Sequence, residues 1–237
     1  MSTTWIIIIS IIAFAVLLCF LLAVANYSYD KFMQSYQELN KRPIRAELGT
    51  LDFIGNLNNK YFKNSLQVVQ ISALAGDAYL KGKIYLSTNS IHQNSLASFT
   101  IIAHEIGHAM QDIEGKKLKR LILLRKIGKV LGLIFAPSII AGLVLLIFGG
   151  TLQTVGIALL CCGGGIFLLA LFVKLLTISI EKDASKKAVG FLSEILNSEE
   201  LKLAKKLLRD AKLTYWADFL RILLGWTALS KKSKLFN

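Results

Sequence analysis

Three stretches of this chain run for about the thickness of a bilayer with almost no charge. Trp5–Ala25 is the first and Val130–Phe148 the second. Leu152–Ile180 is the third, interrupted only by Lys174 near its end. A helix needs about 20 apolar residues to cross a hydrocarbon core of about 30 Å, and each run reaches that length. A weaker fourth run, Leu213–Leu229, is broken by Asp218 and Arg221, which suits a segment in the interface or one packed against the other helices. These runs account for the mean hydropathy of +0.55, too high for an ordinary soluble domain. Ala23-Val24-Ala25 has the small residues of a signal cleavage site. No positive residue precedes the run, however, and it is longer than a signal core, so a retained anchor is the expected reading.

The formal net charge of +13 raises the question of nucleic acid, but the positive residues lie elsewhere than an aromatic-interleaved patch. Lys116, Lys117, Lys119, Arg120, Arg125, Lys126 and Lys129 crowd before the second run, and Lys182, Lys186 and Lys187 follow the third. Positive residues that flank spans in this way mark the cytoplasmic side and suit contact with anionic head groups of the bilayer. The expected organisation is an N-terminal transmembrane anchor over 1–26, a cytoplasmic region over 27–129, a transmembrane hairpin over 130–180 and C-terminal cytoplasmic helices over 181–237. The three cysteines, Cys19, Cys161 and Cys162, all fall in apolar runs with no C-x-x-C. They read as small packing residues rather than a disulfide or thiolate-metal framework.

Between the first two runs stands His104-Glu105-Ile106-Gly107-His108. Phe99, Ile102, Ala103, Ile106 and Met110 recur at helical spacing, so Ala97–Gln111 reads as a helix with that face buried. Asn94 or Ser95 suits its N-cap and Gly115 the position just past its end. Residues i and i+4 share one side of a helix, so His104 and His108 can aim their imidazoles at one ion, and neutral imidazoles suit Zn²⁺. Glu105 projects beside them, where it could take a proton from an activated water. This is the H-E-x-x-H arrangement of zinc proteases. The chain has only three histidines, and two of them fall at this spacing.

Tyr27–Arg45 reads as a polar helix ending near Pro43. Glu47–Lys63 reads as a second helix, with Leu48, Leu51, Phe53 and Leu57 as candidate core. Gln67–Ser72 and Lys83–Ser87 read as short strands around a turn. A free edge on Lys83–Ser87 could hold an extended peptide by main-chain hydrogen bonds, and an ordinary core or edge strand fits the pattern equally. Lys116–Lys129 reads as an amphipathic helix on the membrane surface. Gly149-Gly150-Thr151 joins the second and third runs, and Gly163-Gly164-Gly165 suits close helix packing. Beyond Ile180 the chain turns polar, with Leu192, Ile195, Leu203 and Leu207 on the apolar side of soluble helices.

Two histidines leave a catalytic zinc site one ligand short. No histidine follows the motif, so the third ligand is either His92 from upstream or a carboxylate. Glu181 meets the conditions of sitting on the motif's side of the membrane on a rigid element, and a carboxylate at the end of an apolar span needs a partner. Asp183 is the rival, since it lies about 200° round the helix and cannot face the same ion. The oxyanion donor stays open among His92, Tyr79, Tyr85 and Tyr215, with His92 reading more simply as a surface residue.

Leu86-Ser87, Ser95-Leu96-Ala97 and Ala103-His104-Glu105-Ile106-Gly107-His108-Ala109-Met110-Gln111 together resemble the YugP-like membrane zinc metallopeptidases. So do Glu181-Lys182-Asp183-Ala184-Ser185-Lys186-Lys187-Ala188, after an apolar hairpin, and Leu213-Thr214-Tyr215-Trp216-Ala217. The resemblance covers most of the chain from about Lys83 onward, in the same order. It implies a membrane-bound zinc peptidase of gluzincin type, with His104 and His108 as ligands, Glu105 as the catalytic residue and Glu181 as the acidic ligand, leaving Asp183 a supporting place. Where that family has a His-Tyr-Asp-Pro-like run before the strand, this chain has Gly76-Asp77-Ala78-Tyr79-Leu80. Where related gluzincins have Asp four residues after the ligand, it has Ser185.

The expected fold is mainly α: a multi-span helical membrane protein with a small cytoplasmic α+β zinc-peptidase domain built on the motif helix. The expected setting is a bacterial plasma membrane, with the site on the cytoplasmic side and a peptide or membrane-protein substrate. Two rivals remain. An intramembrane zinc protease would set its motif in a spanning helix and add an L-D-G aspartate. Here the motif helix is not part of a long apolar run and L-D-G is absent. A non-enzymatic zinc-stabilised membrane scaffold would have no use for Glu105.

Overall fold

The computed structural model describes residues 3–72 and 76–223. It is mainly helical, with one small mixed sheet. Helix α1 spans Thr3–Asn40 without interruption, so the first apolar run and the polar stretch after it form a single helix. It stops short of Pro43, which bridges to Ser95, while Leu96 N donates to Arg42 O. Helix α2 covers Thr50–Phe62 and buries Thr50, Phe53, Ile54 and Leu57. That spacing defines one face and leaves the expected core residue Leu51 outside it, 55% exposed. Lys63 and Asn64 then turn the chain through left-handed backbone.

Strands β1 (Gln67–Ile71), β2 (Ala78–Leu80) and β3 (Lys83–Ser87) form a sheet in the order β1-β3-β2. β1 and β3 are parallel rather than a hairpin. The hairpin is β2–β3, closed by Lys81 and Gly82, both at positive φ as a tight two-residue turn requires. β3 is therefore central, with both edges paired, so the expectation of a free edge on Lys83–Ser87 is corrected. β2 and β1 form the outer edges.

Helix α3 (Thr88–His92) leads to α4 (Leu96–Glu114), the motif helix. Ser95 caps α4 by accepting from Ser98 N, and Gly115 takes the C-cap at φ +156°. Phe99, Ile102, Ala103, Ile106 and Ala109 have no exposed surface, while Met110 is half-buried against the same core. Helix α5 (Lys117–Leu145) continues straight from the basic stretch into the second apolar run, so Lys116–Lys129 is not a separate helix. A 3-10 turn at Leu146–Phe148 and positive-φ Gly149 and Gly150 reverse the chain into α6 (Gly150–Leu192). This helix runs unbroken through Ile180 and Glu181, so Glu181 lies within one long helix and not at the start of a new one. Helix-forming Glu, Lys and Ala follow the apolar run and give no reason to stop. Helix α7 spans Ser198–Leu223; the expected fourth run, Leu213–Leu229, extends past the described residues. Its described part packs inward, with Phe219 buried against Phe135 of α5 and Ala170 of α6.

Lys117–Phe148 and Gly150–Leu192 are each long and apolar enough to cross a membrane. Their outer faces carry exposed Leu133, Ile140, Leu168 and Phe172. Close backbone approach holds the pair together. A Cβ at Gly156 would lie 2.8 Å from Gly142 O, and one at Gly163 would lie 2.6 Å from Ile139 Cδ1. Gly164 and Gly165 face open space, so only the first of the three consecutive glycines packs. All three cysteines are exposed, which corrects their expected packing role.

The closest approach of all joins α4 to α6. A Cβ on Gly107 would stand 2.5 Å from the carbonyl oxygen of Ala184. Gly107→Ala must therefore push the helices apart, at a cost of about 1–3 kcal/mol. Thermal denaturation should show a clearly lowered midpoint for Gly107→Ala and none for Gly164→Ala.

Candidate metal centre

α4 sets His104 and His108 one turn apart, with ring centroids 4.8 Å from each other and planes at 77°. Both face Glu181 of α6, which is 1% exposed. His104 Nε2 lies 3.4 Å and His108 Nε2 3.3 Å from the same carboxylate oxygen, Oε2. The three donor atoms lie within 4.8 Å of one another. Tyr215 of α7 donates its hydroxyl to Oε2 at 2.9 Å, and Arg125 of α5 donates to Oε1 at 2.5 Å. The Arg125 stem is largely exposed while its tip reaches the buried carboxylate.

Hydrogen bonds around Gln111 fix which nitrogen of His108 carries its proton. Gln111 Nε2 donates to Ile180 O at 2.8 Å and Asp183 Oδ2 at 2.9 Å, both pure acceptors. Its Oε1 must then be the atom 3.0 Å from His108 Nδ1, so Nδ1 bears the hydrogen and donates. Were His108 neutral, it would thus present a bare Nε2 lone pair to a carboxylate oxygen. Two acceptors at 3.3 Å repel unless a cation lies between them. Burial disfavours ionised Glu181, but bonds from His104 and His108 outweigh it and hold the carboxyl well below its ordinary range. The same carboxylate outweighs burial at His108 and raises its pKa. The group therefore draws a positive charge to its centre. Zinc ligands at about 2.0–2.1 Å in a tetrahedron stand about 3.3–3.4 Å apart, which matches the two histidine–Glu181 spacings. Two imidazoles and one carboxylate also form a donor set of catalytic zinc. Among the described residues no other group of three such side chains converges in this way.

Glu105 lies on the same turn of α4. Its Oε2 accepts from Tyr79 N, on β2, at 2.7 Å. Burial raises its pKa, although His108 and His104 oppose the rise. Asp77 fixes the start of β2: its oxygens accept from Ser87 N and Ser90 Oγ at 2.7 Å each. The departure at Gly76–Leu80 from the resembled family's run thus falls on the strand that holds Glu105.

His104, His108, Glu105 and Glu181 come together as the sequence led us to expect. Asp183 does not face the two imidazoles. It accepts from Gln111 and from Lys117, beside the group. Ser185 Oγ stands 3.3 Å from His104 Nδ1, in the place expected of it. Of the four donors left open, Tyr215 reaches the group. The Tyr79 hydroxyl is engaged by Asp112, and exposed His92 sits 3.4 Å from Gln70. Sequence reading missed Gln111, Arg125 and Gly107. Gln111 carried a usable signal, since i+3 from His108 shares its face of the helix. Arg125 carried none, being one cation in a basic run.

Over residues 4–229 the chain matches a family model described as "Putative neutral zinc metallopeptidase". A relative from Bacillus subtilis strain 168, named "Putative membrane protease YugP", is 32% identical over 200 residues, which cover 81% of this chain and 83% of the relative. No solved structure matches the chain.

Two results are expected from zinc competition titrations. Gln111→Met keeps the shape but removes the acceptor for His108 Nδ1, and should weaken zinc binding by about 10- to 100-fold. Glu181→Gln should lose more affinity than Asp183→Asn; the reverse order would transfer the ligand role to Asp183.

Proposed function

The chain belongs to this neutral zinc metallopeptidase family, and from that premise we propose that it is a membrane-bound, zinc-dependent endopeptidase. The observation that carries the reading is the meeting of two imidazole nitrogens and an ionised carboxylate beside Glu105. His104, His108 and Glu181 are the proposed ligands. Zinc bound there would acidify a water molecule and polarise the scissile carbonyl.

The chain's own groups supply the rest. Glu105 takes a proton from the attacking water and delivers it to the leaving amine. The raised pKa that burial gives it moves it towards the range where a base is both free and strong. The Tyr79 amide fixes one Glu105 oxygen, so the other is turned to the reaction. Tyr215, whose hydroxyl stands at the ligand oxygen of Glu181, is the donor best situated to stabilise the oxyanion. Arg125 donates to Oε1 of Glu181 and Tyr215 to Oε2, and together they would orient the carboxylate towards a bound ion.

The setting we propose is a bacterial plasma membrane. Residues 1–26, within which α1 begins, are its N-terminal anchor, and 130–180 of α5 and α6 its hairpin. Residues 27–129 and 181–237 face the cytoplasm, as the basic residues flanking the spans indicate. The relative's name, a membrane protease, supports this setting. α4 packs in the folded core among Phe53, Leu86 and Leu192, which speaks against a site buried within the bilayer.

Glu105→Gln keeps the shape and removes the basicity. Peptide hydrolysis should fall by at least about 100-fold, with zinc content unchanged in elemental analysis; an active variant would put the base elsewhere. Topology is checked by single cysteines at Lys60 and Lys205 with Cys19, Cys161 and Cys162 replaced by Ala. An impermeant thiol reagent should leave both unlabelled in intact cells, and efficient labelling would invert the orientation.

A further inference from the structure

The antiparallel pair α5 and α6 records how far the metal centre stands from the hydrocarbon. Levels read across from one helix to the other. Gly142 meets Gly156, Ile139 meets Gly163, Phe135 stacks on Phe167 at 5.9 Å, and Gly128 meets Val173. Lys129 and Lys174 therefore lie near one level. On one side of it both helices are free of charge, over 130–148 in α5 and its turn and over 150–173 in α6. At about 1.5 Å per residue these lengths are about 28 and 36 Å, which bracket a core of about 30 Å. The two lysines mark its boundary.

From Lys174 the unbroken helix climbs about 10 Å to Glu181. The head-group layer on each side is about 5–8 Å deep. The centre thus stands at the outer edge of the head groups. Apolar surface follows it almost to that height: Leu175 and Leu176 on α6, and Leu123 and Ile127 on α5, are exposed between the lysine level and the site. A free polypeptide must enter this layer to be cut, whereas a tail emerging from a span in the same bilayer already lies in it. An extended chain covers about 10 Å in about three residues.

We propose, resting on the peptidase reading above, that the substrates are membrane-anchored polypeptides, cut in an extended segment about three to six residues beyond the end of a span.

The test uses the full chain, zinc-loaded, in phospholipid vesicles. The probe is a long, unstructured, mixed-sequence tail, either fused to one transmembrane span or detached from it, with cleavage positions read by mass spectrometry. The anchored tail should be cut at least about tenfold faster, as confinement to one bilayer raises effective concentration. Its cuts should cluster at the stated distance. A Gly-Ser spacer inserted after the span should move the cuts into the sequence now at that distance. Equal rates for the two tails, or cuts that follow the sequence and ignore the spacer, would overturn the proposal while leaving the peptidase reading intact. Failure to cut either tail with zinc bound would overturn the peptidase reading itself. A readout independent of activity is a nitroxide at Ser179→Cys, in a background without the native cysteines. Its collision rates with oxygen and a water-soluble nickel chelate should report head-group depth. Chelate access equal to that of a label at Lys205 would also overturn the proposal.

Discussion

The structure turns on a carboxylate that cannot stand alone. Glu181 lies in a helix whose preceding run is apolar, and only 1% of its surface reaches solvent. An ionised carboxylate in such a place costs several kcal/mol unless charges and donors surround it. Here each neighbouring helix sends one: imidazoles from α4, a guanidinium from α5 and a phenol from α7. The convergence of these helices and the compensation of that charge are the same event. Its incompleteness matters too. Oε2 accepts from Tyr215, yet beside it stands a His108 Nε2 that a neutral ring would leave bare, so the group favours a positive charge there, whether a proton or a metal ion.

Support for the centre extends outward through uncharged groups. Gln111 reads the tautomer of His108 from one side and clasps Ile180 O and Asp183 from the other, so it ties α4 to α6. The amide of Tyr79 does the corresponding service for Glu105. That amide is available because the tight β2–β3 turn brings a short strand back beside α4, and because Asp77 pins the strand's entry to the serines of α3. The sheet is small, but its position decides where Glu105 points.

Features governed by neighbours in sequence are legible in the sequence itself. The bounds of α4 follow from Ser95 and Gly115, and the histidine pair follows from the pitch of the helix. The turn at Gly149 and Gly150 follows from backbone freedom. What was missed depends on distant partners. The alternation in Lys83–Ser87 says nothing about which strands lie on either side. The polar stretch after Ile180 suggested a new helix because composition changed, yet a change of solvent does not break a backbone rich in helix formers. Arg125 could not be singled out among seven neighbouring cations, because its partner lies far along the chain. Leu51 was misassigned by apolar character alone, whereas Thr50, Phe53, Ile54 and Leu57 set the buried face.

The contact between Gly107 and Ala184 carries a genetic consequence. The atom that a new side chain at 107 would strike is a main-chain oxygen, which every amino acid possesses. No exchange at 184 can therefore make room, and a lost Gly107 has no local suppressor. Compensation would have to shift all of α6, and with it Glu181, which would separate restored folding from restored chemistry. Position 107 is thus expected to be among the least negotiable in the chain, although its residue binds nothing and moves no proton.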